Sequence, residues 1–415
     1  MRSLRIGLLL GLRQIQRASF WTTSLIIFVM MLTFLNLIAV SGILVGLIEG
    51  SEQAIRKVSL GDIVLSELDG ENYILETESM IREIEAYPEV TNYSVRYKAS
   101  ATLEANYKER RNLQNERDVA AISVTGIDPI KESEMTGLDS LVIDGEYLDP
   151  NEEGYILMGV FFIEEYAEQF GDVFESVSGV KPGDTVRVTS GDISKEFIVK
   201  GLVQSKVDEI NLTTFIPERE FRRLFNRLDR NADQIVIKVA NPKTNAEIAA
   251  SMKQSGLNQY AKILTFEENL PKFLIDIKNT FNVLGTFIGS IGIIVASITI
   301  FIIIFINALS RRRHIGILKG IGIERRVIEI AYVAQAAFYA LTGSVLGALV
   351  TYGFLVPFFA ANPIQFPFSD GILSADPETT FYKFLVLFGI TLIAGFVPAW
   401  MIAKENTLNS ILGRK

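Results

Sequence analysis

Residues 310–326 read SRRRHIGILKGIGIERR. Three consecutive arginines and the chain's only histidine close a long apolar run. A pattern of isoleucines and glycines follows, and Arg325-Arg326 opens a second long apolar run. A short basic segment between two membrane-length stretches marks a cytoplasmic turn of a helical membrane protein.

Working outward, four segments reach the roughly 20 apolar residues that a span needs: 20–48, 281–309, 327–359 and 381–403. Their cores are read as free of Asp, Glu, Lys and Arg. The first exceeds the apolar core of about 7–15 residues of a signal peptide and has no A-x-A site after it, so it is expected to be a retained helix. Lysine and arginine placement sets the orientation. The amphipathic N-terminal segment 1–19 holds Arg2, Arg5, Arg13 and Arg17 and no acid. The coupling segment 310–326 holds Arg311, Arg312, Arg313, Lys319, Arg325 and Arg326, and the tail 404–415 holds Lys404, Arg414 and Lys415. Loop 360–380 has Asp370, Asp376 and Glu378 and no Lys or Arg. Both termini and the coupling segment are therefore expected in the cytoplasm, with Arg311, Arg312, Arg313, Arg325 and Arg326 as topology anchors. Residues 49–280 and 360–380 are expected outside.

Composition agrees with apolar spans joined to a polar domain: mean hydropathy is +0.29, yet 21% of the 415 residues are charged. With no cysteine and one histidine, disulfides, Cys/His zinc sites, thiol nucleophiles and multi-His metal sites are excluded. Residues 49–306 carry 42 acidic and 26 basic side chains, which argues against a nucleic-acid partner.

The outer segment 49–280 reads as mixed α/β. Strand-like runs are 63–65, 121–124, 185–188, 197–199 and 234–239; helices are expected over 76–86, 218–228 and 243–255. KPGD (181–184) and SGD (190–192) are turns, the second able to close a hairpin. Residues 266–280 are expected to carry span two beyond the membrane as a helix, with Pro271 near its start. The Glu pairs at 152–153, 164–165 and 267–268 have no acid–base partner in the pattern and read as surface charge.

The spans lack the charged relay of an ion-coupled carrier. They do carry small residues at packing spacing: Gly42, Gly46 and Gly50; Gly285 and Gly289; Gly343 and Gly347. These serve either packing within the chain or a subunit interface. On one continuous helix, Ile317, Ile321 and Ile328 fall within roughly 40° of each other, with Leu318 beside them and Lys319 and Arg326 opposite. Gly316, Gly320 and Gly322 weaken that helix but allow close approach. A topology anchor accounts for the arginines; a docking surface also accounts for the stripe.

RRRHIGILKGIGIERRVI (311–328) resembles the cytoplasmic loop of the FtsX-like permease family, where R-R-x-E-I-G-I-L-K-A-[LI]-G-A is typical. His314 replaces the usual Glu, and Gly320 and Ile323 replace Ala. The tail is similar to the family's ending through Pro398, Ala399, Ala403 and Leu412, with Thr407 where Pro is usual. GDIVL (61–65), VTGIDP (124–129), IDGEYLDPNEEGYILMG (143–159), GVKPGDTVRV (179–188) and TTFIPERE (213–220) follow the order of the MacB-type periplasmic core.

The resemblance implies a type VII ABC transporter permease with four transmembrane helices and a large extracytoplasmic α/β domain inserted between helices 1 and 2. It implies the bacterial cytoplasmic (inner) membrane, and a separate cytoplasmic ABC ATPase docking through Ile315, Ile317, Leu318, Lys319, Ile321 and Ile328. A second permease, identical or paralogous, an extracytoplasmic cargo acceptor or adaptor, and membrane lipids complete the partners. The chain has no G-x-x-x-x-G-K-[ST] and no LSGGQ-like signature, so ATP and Mg are expected on the partner; no catalytic, cofactor or metal residue is expected here. The implied function is export or extraction of a lipophilic or periplasm-handled cargo: a lipoprotein, lipid, amphiphilic drug or peptide. The alternative is FtsX-type signalling to cell-wall hydrolases. An outer domain of this size favours the first.

Overall fold

Strand β2, Val90–Glu104, organises the polar part of the chain, because its two halves pair with different neighbours. The structure is a computed structural model and describes residues 2–108, 118–168, 175–362, 364–366, 369–371 and 373–404. These form two units: a sheet unit of residues 51–272 with 367–369, and a helical unit of residues 1–50, 273–366 and 370–415.

The sheet unit contains β1 (Ile63–Ser66), β2, β3 (Val119–Ile127), β4 (Val142–Gly145), β5 (Tyr155–Gly159), β6 (Thr185–Ser190), β7 (Ile193–Val203), β8 (Thr213–Pro217), β9 (Gln234–Val239) and β10 (Lys262–Thr265). The order is β10-β1-β9-β2-β3-β8-β5-β7-β4. Because β6 pairs both β2 and β7, strands β2, β3, β8, β5, β7 and β6 close into a ring, which leaves no free edge among them. Apolar side chains fill the core, among them Leu103, Ile122, Val124, Ile156, Phe197 and Phe221.

Local chemistry explains several boundaries. The Asp128 carboxylate accepts the Ile130 and Lys131 amides, capping a helix that has Pro129 at its first turn. Asp184 and Lys181 close the KPGD turn, and Ser190 pairs with Ile193 across the SGD turn. The helix expected over 218–228 ends at Leu224, because Asn226 takes φ +51; Leu228 is 93% exposed and adds nothing to its apolar face.

In the helical unit, a helix at Arg2–Gln16 precedes four helices long and apolar enough to cross a membrane. The first runs Phe20–Ile55 and the second Lys272–Ser310, starting directly after Pro271. The Phe266–Asn269 turn before it is a separate capped element, not part of one helix from 266. The third runs Arg325–Val350 and continues through a π turn (Thr351–Leu355) into Val356–Ala361; the fourth runs Pro377–Lys404. Within the 360–380 loop, Ile364–Phe366 pairs with Ser369–Gly371. Two charges lie inside the expected span limits but outside their uncharged cores. Glu329 pairs with Arg325 one turn into the third helix. Lys383 lies near the start of the fourth and donates to the Ser41 hydroxyl. Each sits near a helix end, where a long side chain reaches a polar partner cheaply.

The glycine spacing packs these helices. A Cβ on Gly343 would lie 2.4 Å from Met30 Cβ, and one on Gly347 2.8 Å from Phe34. A Cβ on Gly289 would lie 2.9 Å from Leu37 and one on Gly42 2.5 Å from the Ser374 carbonyl, while one on Gly285 would make ordinary contact with Ser41 at 3.4 Å. The other four positions serve close approach within one chain. Gly46 is buried and Gly50 half-buried on the first helix. The N-terminal helix repeats the device: Gly7 meets Ile330 and Gly11 meets the Ala331 carbonyl of the third helix.

Candidate functional site

The second helix stops at Ser310, Arg311 breaks the geometry (φ −99°, ψ 10°), and a nine-residue helix, Arg312–Gly320, follows. It does not continue to Ile328. Gly322 adopts φ +93°, the Gly322 amide donates to the Lys319 carbonyl at 3.1 Å, and the Ile323 amide donates to the Leu318 carbonyl at 3.0 Å. This pair of bonds is a Schellman stop, and glycine supplies the left-handed residue it requires. Glu324 is extended, and Arg325 begins the third helix.

The stop splits the expected stripe. Ile315 and Ile328 are each 3% exposed and belong to the core of the helical unit, with Tyr332, Ile402 and Ala403. Ile317 and Ile321 are 48% and 72% exposed. Leu318 is half-buried between the two sets. So Ile328 is not on the face of Ile317 and Ile321; it lies on a different helix, turned inward. Lys319 is also not a free opposite face: its ammonium donates to the Ala403 carbonyl at 3.0 Å, near the C-terminus of the fourth helix, where a cation is favoured. Gly316 is buried; Gly320 and Gly322 both have open space around them, and Gly322 serves the turn through its positive φ. Arg313 and Arg326 are exposed; Arg311 and Arg312 are half-buried.

Beside the turn lies an open concavity of about 630 Å³ lined by Glu324, Arg325, Arg326, Glu329, Phe396 and Trp400. The Arg325 guanidinium bonds Glu329 at 2.8 Å and lies 5.6 Å from the Trp400 ring centroid; Lys404 lies 5.1 Å from the same ring. Glu329, Phe396 and Trp400 carry no motif signal in the sequence, where Phe396 and Trp400 look like ordinary span residues. Exposed Ile317 and Ile321 thus lie on the turn beside a concavity of mixed charge with Phe396 and Trp400 in its lining. The tail beyond Lys404, with Thr407, Leu412, Arg414 and Lys415, lies outside the described residues.

In the sheet unit, the paired glutamates are occupied structurally. Glu152 pairs with Lys200 and Glu153 with Arg223; Glu267 pairs with Arg56, and Glu268 completes a capping box with Thr265. Glu164 and Glu165 occupy the first turn of a short helix. No group of three or more His, Cys, Asp or Glu side chains among the described residues is placed to hold a metal.

Residues 286–407 match the family model described as FtsX-like permease C-terminal. This part of the chain is an FtsX-like permease domain. The chain is also 26% identical over 134 residues to the ABC transporter permease YtrF of Bacillus subtilis, covering 30% of this chain and 31% of YtrF. It is 26% identical over 232 residues to the macrolide export ATP-binding/permease protein MacB of Campylobacter jejuni, covering 52% of this chain and 34% of MacB. The chain thus spans about a third of the length of these curated relatives. The uncharacterised ABC transporter permease MJ1507 of Methanocaldococcus jannaschii is 24% identical over 244 residues, 56% of this chain and 58% of its own. The crystal structure of the periplasmic region of MacB from Actinobacillus actinomycetemcomitans aligns at 14% identity and a TM-score of 0.34, covering 52% of this chain and 97% of its own.

The turn at Gly322 makes its own test. Gly322→Ala should cost about 1–2 kcal/mol, because a Cβ is disfavoured at φ +93°. Gly320→Ala, helical and with open space around it, should be neutral or stabilising by up to about 1 kcal/mol. Thermal unfolding of the two purified variants checks the ranking; equal stabilities would mean that the stop is not built on Gly322.

Proposed function

We propose that this chain is the permease subunit of an ABC transporter of the MacB/FtsX type, working with a separate ATPase that binds ATP and Mg. The single observation that carries the reading is the coupling turn of an FtsX-like domain: a basic, glycine-stopped helix between two span-length helices, presenting Ile317 and Ile321 outward. Apolar side chains exposed beside arginines are what a cytoplasmic partner would cover. In this reading the membrane is the bacterial inner membrane, both termini are cytoplasmic, and residues 51–272 lie outside. A second permease, identical or paralogous, completes the complex. ATP-driven closure of the ATPases displaces the outer domains and moves a lipophilic or amphiphilic cargo. The sparse charge of the four spans supports this over a polar conduit between them.

The Ile317→Glu/Ile321→Glu double variant tests the reading. Both positions are exposed, so the fold should survive, while two carboxylates desolvated at an interface should weaken ATPase binding by about a hundredfold or more. Co-purification of the ATPase with tagged chain is the measurement. Undiminished recovery of the partner would place docking elsewhere and remove the support for this role of the turn.

A further inference from the structure

β2 leaves its pairing with β9 at Arg96 and enters the closed ring at Tyr97. At this crossing, Tyr93, Val95 and Tyr97 project to one side at two-residue spacing and line a cavity of about 420 Å³. Ile81, from the helix Thr77–Glu85, extends the apolar lining. Both tyrosines are buried, and the Arg222 guanidinium holds the Tyr97 hydroxyl at 2.9 Å.

Charged side chains complete the lining, and their pairing leaves a remainder. Glu78 is held by Arg230 at 2.6 Å and Glu218 by Arg222 at 2.8 Å. Asp128 is spent on the backbone amides of Ile130 and Lys131. All three lining carboxylates are therefore engaged. Two lining cations have no carboxylate within ion-pair distance among the described residues. Lys131 lies 4.0 Å from the Tyr93 ring centroid and donates to the Tyr93 hydroxyl, which itself bonds Glu85. Arg219 is exposed and has no hydrogen-bond or ion-pair partner among the described residues. A cavity with spare positive charge stands out where residues 49–306 carry 42 acidic and 26 basic side chains.

We propose that this cavity binds a carboxylate borne on a planar apolar group, with Lys131 and Arg219 taking the carboxylate and Tyr93, Val95 and Tyr97 taking the ring. The volume falls within the range of small-molecule sites. Guanidinium and ammonium donors suit a carboxylate; Lys131 and Arg222 each lie over one tyrosine ring, so a flat ring meets the edges of Tyr93 and Tyr97 with Val95 and Ile81. The inference does not depend on the transporter reading.

The probe is naphthalene-2-carboxylate, titrated by its fluorescence into the full chain in nanodiscs, with empty nanodiscs subtracted; naphthalene-2-carboxamide is the uncharged isostere. The carboxylate should bind saturably, and the carboxamide about tenfold more weakly. Arg219→Gln and Lys131→Gln should each weaken the carboxylate about fivefold or more and leave the carboxamide unchanged. Arg219 is exposed, so its variant reads binding without a folding defect. No saturable signal, equal binding of the two probes, or full affinity in both variants would overturn the proposal.

Discussion

Replacing Arg96 with methionine should destabilise the sheet unit by roughly 3–5 kcal/mol. Arg96 and Glu132 are 4% and 1% exposed and form a bidentate pair, Nη2 to Oε1 at 2.6 Å and Nε to Oε2 at 3.1 Å. Arg96 also donates to the Ser59 carbonyl at 2.6 Å, while Ser94 and Thr136 hydroxyls donate to Glu132. Methionine fills much of the volume but leaves the carboxylate buried without its counter-charge. Urea titration of the full chain, read by protease cleavage within residues 51–272, measures the loss; a change under about 1 kcal/mol would mean that Glu132 finds another partner. The pH dependence should change sign. Burial opposes ionisation of Glu132, yet Arg96 and the hydroxyls outweigh it and hold the carboxyl below its ordinary value. In the native chain the pair's contribution is therefore present above the usual glutamate value of about 4.3 and lost as pH falls through the lower folded value. Without Arg96 only the Ser94 and Thr136 hydroxyls oppose burial, the folded value rises, and stability should decline as pH climbs above about 4.3.

Gly343→Leu should disrupt the helical unit. A single Cβ there already meets Met30 Cβ at 2.4 Å and the first helix's backbone at 3.1 Å, so even alanine must push two helices apart. Overpacking costs about 1–3 kcal/mol and more where backbone must move. Gly389→Leu, on the fourth helix with nothing within 4 Å, is the matched control and should be tolerated. Circular dichroism during SDS titration distinguishes the two; equal midpoints would contradict close packing of the first and third helices.

The span helices were legible because a run of apolar residues has few other fates, and the small-residue spacing was visible in the letters. Which surfaces those glycines meet was not: Gly343 finds Met30 from more than 300 positions away in the chain. The turn at 320–324 departs from the wheel at one point. A helical wheel treats Gly322 as a weak helix residue, whereas its left-handed geometry makes it the stop, and the stripe ended there. β2 escaped notice although Tyr93, Val95, Tyr97, Ala99, Ala101 and Leu103 alternate along it. Ser94 and Arg96 between them are polar, the residue types of a solvent face, but they are buried on the second face, satisfied by Glu132. That partner, 36 residues on, could not be inferred from local pattern. The ring of six strands depends on parallel pairings, β3 with β8 and β5 with β7, that no hairpin signal announces.

The first and last strands of the sheet unit, β1 and β10, run side by side, Ile63 opposite Thr265 and Ser66 opposite Lys262. The unit's entrance and exit are thus about one strand spacing apart, roughly 5 Å. A segment whose ends meet places the same demand on its host chain as a hairpin loop, whatever its length. The chain leaves the unit beside the point where it entered, however many residues lie between. The sheet unit is in this sense a cassette: its interior can enlarge, shrink or be rebuilt, and the host chain registers only the two strands at the doorway.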